Sequence, residues 1–237
     1  MRLLLARDDA NPDKPDNDGR TPLGGAACEG YETVVRLLLA RGDVNPDKPD
    51  NDGGTPLWWA SGNGHGGVVR LLLAKDGVNP NKPGSFGETP LGNALFYGHE
   101  GVVRLLLARG DVNPDEPNNH GQTPLRQASM NGHEGVVRLL LAQDGVSPDK
   151  ADANDATPLL SASRGGQEGV VRLLLARDDV NSDKPDNQGK TPLRGAACDG
   201  HEGVVQLLLA RDGVLTNQTA QVKHHSISPL EMDMREW

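Results

Sequence analysis

The chain reads as an all-α solenoid of about six stacked 34-residue units, each a helix pair, with loops or short β-hairpins as connectors. Three observations predict this. Thr-Pro-Leu opens at Thr21, Thr55, Thr89, Thr123, Thr157 and Thr191, always 34 residues apart. The run Val-Val-Arg-Leu-Leu-Leu-Ala returns in the same register at 34–40, 102–108, 136–142 and 170–176. Only 2 Phe, 2 Tyr and 3 Trp occur in 237 residues, too few for one large core but suited to a pile of small Leu, Val and Ala cores.

Each element follows from local chemistry. Thr-Pro supplies a capping oxygen and a proline pre-set for the first helical turn, so a first helix is expected over 22–29. Gly30 ends it, and Gly64, Gly98, Gly132, Gly166 and Gly200 mark the matching left-handed caps. A second helix is expected over 32–40. It is apolar around most of its circumference, interrupted by Arg36, and must be covered by neighbouring units. Glu100 and Arg104, Glu134 and Arg138, and Glu168 and Arg172 are spaced as i,i+4 pairs. Gly101, Gly135, Gly169 and Gly203 near the start of that helix carry a propensity cost with no local gain to offset it. The stretch 42–53, rich in Pro, Asp, Asn and Gly, is turn chemistry and reads as an extended loop or short hairpin.

Composition narrows the function. A formal charge of -9 with no basic stripe excludes nucleic acid as a partner. No apolar run is long enough to span a bilayer, and no secretory signal opens the chain, so membrane is excluded as well. Cys28 and Cys198 occupy the same slot in the first and sixth units, too far apart for a disulfide, and two free thiols point to a reducing, cytoplasmic setting.

Gly-x-Thr-Pro-Leu-x-x-Ala, then Gly-His, Val-Val-x-Leu-Leu-Leu and a Val-Asn loop, resembles the ankyrin repeat, in register over residues 1–214. The histidine that commonly follows Thr-Pro-Leu in that family is replaced by Gly24, Trp58, Gly92, Arg126, Leu160 and Arg194, so its capping network does not carry over. The near-identical units with a longer Asn-Pro-Asp-Lys-Pro loop look similar to the carboxyl-terminal arrays of fungal NACHT-type, NLR-like proteins. That resemblance implies a ligand-sensing array in innate immunity or non-self recognition. The expected layout is a partial repeat at 1–20, repeats at 21–54, 55–88, 89–122, 123–156, 157–190 and 191–214, and a tail with a capping helix at 215–237. The half-unit at the start reads as cut from something longer.

Variation among units falls at the fourth, fifth, eighth and ninth residues from each Thr and at the loop tip. The resemblance implies that first helices and loop tips line the concave ligand-binding side. Phe96, Tyr97, Trp58, Trp59 and Phe86 form the leading candidate hot spot, and Arg126, Met130, Leu160, Arg164 and Arg194 a second patch. For Trp58 and Trp59 two readings stand, an exposed anchor or a ring packed between units, with packing favoured for Trp59. Phe96 and Tyr97 are expected in solvent.

Other signals carry no chemistry. The glycine pattern at 62–67 joins two helices instead of following a strand, so it is not a dinucleotide loop. His65, His99, His133 and His201 recur once per unit and cannot converge on one metal. Asp50 to Gly53 lacks the remaining ligands of a calcium loop. The reading is therefore a non-enzymatic, cofactor-free, monomeric module that recognises a protein ligand. The alternative is a structural spacer or a stack that self-associates through Leu3 to Leu5.

Overall fold

The computed structural model describes residues 11–211, so the expected capping helix at 215–237 and the leucines at 3–5 lie outside the described residues. Twelve helices form six pairs among the described residues: α1 (Pro22–Cys28) with α2 (Glu32–Leu39), α3 (Pro56–Gly62) with α4 (Gly66–Leu73), α5 (Pro90–Phe96) with α6 (Glu100–Leu107), α7 (Pro124–Met130) with α8 (Glu134–Leu141), α9 (Pro158–Arg164) with α10 (Glu168–Leu175), and α11 (Pro192–Cys198) with α12 (Glu202–Arg211). First helices pack on first helices of neighbouring units, and second helices on second helices. No strand occurs among the described residues, so the connectors are turns and not hairpins.

The caps act as the residue types require. Each repeat threonine accepts from the backbone N–H three residues on, at 3.1 Å from Gly24, Trp58, Gly92 and Leu160, 3.2 Å from Arg126 and 3.3 Å from Arg194. At the other end Gly30 takes φ +75°, which returns the Tyr31 N–H to the Ala26 carbonyl at 2.9 Å. The same glycine leaves room for the next unit, since a Cβ there would lie 2.6 Å from Nδ1 of His65.

Leu23, Leu57, Leu91, Leu125 and Leu159 after the first five Thr-Pro pairs are fully buried, Leu193 after the sixth is partly buried, and Val69, Val103, Val137 and Val171 of the second helices are fully buried. They join one continuous cluster along the stack, so every unit is completed by its neighbours.

The glycine near the start of the second helix has an inter-unit reason. A Cβ at Gly67, Gly135, Gly169 or Gly203 would fall on the carboxylate of Glu32, Glu100, Glu134 or Glu168 in the preceding unit. Gly101 follows Gly66 instead of a glutamate and has open space beside it. The glycine thus leaves room for the neighbour's glutamate, while no local gain offsets its propensity cost. Of the three i,i+4 pairs, Glu100–Arg104 closes at 3.7 Å and Glu168–Arg172 at 3.4 Å, while Glu134–Arg138 stays open.

Candidate functional site

Three side-chain ladders fix how successive units meet, and so where the variable residues point. In the first, Nε2 of His65, His99, His133 and His201 lies 2.9, 2.9, 3.0 and 2.9 Å from the carbonyls of Cys28, Gly62, Phe96 and Arg164. A carbonyl only accepts, so Nε2 carries the hydrogen in each case. Gln167 fills the histidine slot of the fifth unit and donates to the Met130 carbonyl at 3.5 Å. These histidines are joints between units.

In the second ladder, Nζ of Lys48, Lys82, Lys150 and Lys184 donates to the backbone carbonyls of Asp13, Asp47, Asp115 and Asp149 at 3.0, 2.8, 3.1 and 2.9 Å. The rung between the second and third units is replaced, since Asn81 stands in the aspartate slot and Glu116 in the lysine slot. There Asn81 donates to the Asp111 carbonyl at 2.5 Å, Glu116 accepts from Asn113 at 2.6 Å, and a cavity of about 350 Å³ opens beside them.

In the third, Lys75, Arg109 and Arg211 donate to the last carbonyls of the preceding second helix, at Leu39, Leu73 and Leu175, at 3.0, 2.7 and 2.6 Å. A cation there also faces the negative end of the helix dipole. Arg109 and Arg177 pair with Asp111 and Asp179 at 2.6 and 2.7 Å. Their guanidinium hydrogen bonds hold those carboxyls below the usual carboxylate range.

The acidic loop position that hinted at calcium is occupied by its own chain. Asp50 Oδ1 accepts from Asp52 and Gly54 at 3.1 and 2.8 Å, and Oδ2 accepts from the indole of Trp59 at 2.7 Å. Among the described residues no cluster of His, Cys, Asp and Glu is arranged to hold a metal. The glycine pattern at 62–67 links α3 to α4.

Against this frame the variable slots divide. The fourth and fifth residues of the second to fifth units are buried or half-buried against their neighbours, while Arg194, a fourth-slot residue of the sixth, is exposed. Leu160 is 0% exposed, which corrects its assignment to an open contact patch. Trp58 is half-buried and donates Nε1–H to the Glu88 carbonyl at 2.8 Å; Trp59 is half-buried under Arg20, whose guanidinium carbon lies 4.3 Å from the ring centroid. The packed reading therefore holds for both indoles, because each N–H needs a partner that only an adjacent unit or loop supplies. Arg126 is also drawn inward, its side chain 12% exposed and 3.0 Å from Asp152. Burial pulls its guanidinium below the ordinary arginine range, Asp152 opposes that, and the charge of Arg164 adds to it.

The eighth and ninth residues lie past the edge of the neighbouring helix. Phe96 is 44% exposed, Tyr97 58% and Met130 37%. Phe96 and Tyr97 meet edge to face with centroids 5.1 Å apart, and Tyr97 stacks toward His99 at 6.2 Å. The Phe96 carbonyl also takes a bond from Asn131 at 3.1 Å, so the next unit pins the backbone from which that ring projects. Arg164 and Arg194 are exposed, and Phe86 at the loop tip is 66% exposed. Tyr31, 58% exposed, occupies the histidine slot of the first unit, outside the helix and loop-tip slots where the units vary most.

A helix pair, a turn and a column of unlike side chains repeated along a pile define a helical-repeat scaffold, a class that typically serves as a non-enzymatic interaction surface. The chain belongs to the ankyrin-repeat family: the model described as "Ankyrin repeats (3 copies)" matches residues 1–84, 77–152 and 145–220. Among solved structures it is similar to the human ASB11 ankyrin repeat domain, with 29% identity and a TM-score of 0.73 over 81% of this chain and 84% of that one. A search among curated proteins returned no match. No helix among the described residues is long and apolar enough to cross a membrane.

Proposed function

We propose that this chain recognises a protein ligand through the open column of eighth- and ninth-slot residues, together with the fourth-slot Arg194 and the loop tip at Phe86. Ankyrin repeats are generally protein-interaction modules, and one observation carries the assignment of the face. At those slots adjacent units place Phe96, Tyr97 and Met130 in solvent on a backbone that the histidine ladder holds rigid. Exposed aromatic side chains on a pre-organised backbone lose little entropy on binding, and such residues dominate interface energies. The partner-facing set is Phe86, Phe96, Tyr97, Met130, Arg164 and Arg194. Trp58, Arg126 and Leu160 act from behind it by packing.

The resemblance to fungal NLR-like arrays extends the proposal: the module is the sensing part of a cytoplasmic innate-immunity protein, acting as a monomer and without nucleic acid. A photo-crosslinking residue at position 97, with a control at Arg104 on α6, tests the binding face. Crosslinks at 97 and none at 104 support it; the reverse pattern moves recognition to the second helices.

A further inference from the structure

The fourth, fifth and sixth units share a groove whose charge runs against that of the whole chain. Two adjoining cavities, about 290 and 120 Å³, meet at Arg164 and Asp199. Arg126, Arg164, Lys190 and Arg194 line them in a protein that holds 24 Lys and Arg against 33 Asp and Glu.

The acids facing this groove are largely committed. Asp152, 1% exposed, gives one oxygen to the N–H groups of Asn154 and Ala156 at 2.8 and 2.9 Å and turns the other to Arg126. Asp186 accepts from the backbone of Gln188 and Lys190 at 2.9 and 2.8 Å, and those bonds, with the nearby charges of Lys190 and Arg164, hold its carboxyl below the usual range. Asp199 faces Arg164 at 3.8 Å. Among the described residues neither Lys190 nor Arg194 closes an ion pair within 4 Å, unlike Lys82, Lys150 and Lys184 of the loop ladder, although the charge of Lys190 reaches Asp186. Nε of Arg126 is ion-paired to Asp152 at 3.0 Å, while Nη1 is buried without a hydrogen-bond partner, so that guanidinium is only partly compensated. Met130, 37% exposed, offers an apolar surface beside these cations, with the buried Leu160 packed behind it.

We infer that this groove takes an acidic segment of a protein partner, with a carboxylate between Arg164 and Arg194 and an aliphatic side chain against Met130. Charge complementarity selects this occupant. A basic segment would meet Lys190 and Arg194 unscreened, and a long polyanion would meet the net charge of -9 beyond the groove. The inference rests on the recognition reading above and specifies its chemistry at one place.

Random dodecapeptides displayed on phage and selected on the full chain provide the test, followed by affinity measurements on the best synthetic peptide. The selected pool is expected to combine Asp or Glu with Leu or Met. Affinity is expected to fall about tenfold in Arg194→Glu and in Lys190→Glu, and at about 0.5 M salt, where screening shortens to a few Å. Both replaced side chains are exposed or at the rim, and an unchanged melting curve verifies that each variant folds. Neutral or basic pools, or acidic peptides indifferent to both charge reversals, overturn the groove assignment. If the selected peptides instead lose affinity in Phe96→Ala/Tyr97→Ala, the recognition face stands and the acidic ligand does not. If neither set of replacements matters, both readings fall.

Discussion

Asp155 is the single non-glycine residue with positive φ among the described residues, at +61°, in the loop slot that Gly53 and Gly121 occupy in other units at +78° and +71°. A left-handed backbone costs an L residue about 1 kcal/mol, less for Asp than for branched types. Asp155→Gly is therefore expected to raise stability by roughly 0.5 kcal/mol, read as a higher urea midpoint with unchanged slope. Ser61, Ser129 and Ser163 make a similar case, because their hydroxyls are buried without partners in a slot where the first unit has Ala27. Ser129→Ala removes an unsatisfied group without opening a cavity of any size and should stabilise by about 1 kcal/mol. A lower melting temperature for that variant would reveal a hydrogen bond that the structure lacks.

At the scale of elements, the helix boundaries were nearly readable from residue types alone. Thr, Pro and Gly act locally, and the observed first helix stops at Cys28, one residue short of the expected 22–29. The second helix ends at Leu39 in place of residue 40. What could not be read from one unit is anything that joins two. The Glu100 carboxylate over Gly135, the lysine over the previous aspartate, and the histidine on the previous carbonyl each depend on a partner about 35 residues away. A signal existed in the paired change of Asn81 and Glu116, which alter together in adjacent units. The site is half legible for the same reason: which of the variable slots lies under a neighbour depends on the stacking offset, so the sequence alone does not separate Trp58 from Phe96 or Leu160 from Met130. The histidine ladder makes its own prediction. His99→Ala should cost about 1 kcal/mol, while His99→Gln should lose less, since Gln167 already spans the same gap. Equal losses in thermal melts of the two variants would show that ring packing, not the bond to Gly62, holds this joint.

Across the whole molecule, stability is a sum of unit and junction contributions, so a weak junction decides where the stack opens. The second and third units lack a lysine rung, which makes theirs the junction to repair. The double change Asn81→Asp with Glu116→Lys should stabilise by about 0.5 kcal/mol, the scale of a partly exposed ion pair. Asn81→Asp alone should destabilise, because it replaces the donor to the Asp111 carbonyl with a charge facing Glu116. A double-mutant cycle in urea checks both signs. Acid acts on the three local Arg–Asp loop pairs in one direction. Asp43, Asp111 and Asp179 have lowered folded-state values, so their pairs contribute fully above the unfolded carboxylate pKa of about 3.9. That contribution disappears as pH falls through the lowered values.

The ladders build an invariant spine, and the side chains that clear the neighbouring helix are left to meet other molecules. Quantitative affinity capture with two alanine blocks tests that division most directly. One block replaces Phe86, Phe96, Tyr97, Met130 and Arg194; the other replaces the exposed Arg70, Arg104, Arg138 and Arg172 of the second helices. The first block is expected to retain its melting temperature and lose the captured proteins, and the second to retain both. Capture that survives the first block and disappears with the second would contradict the account.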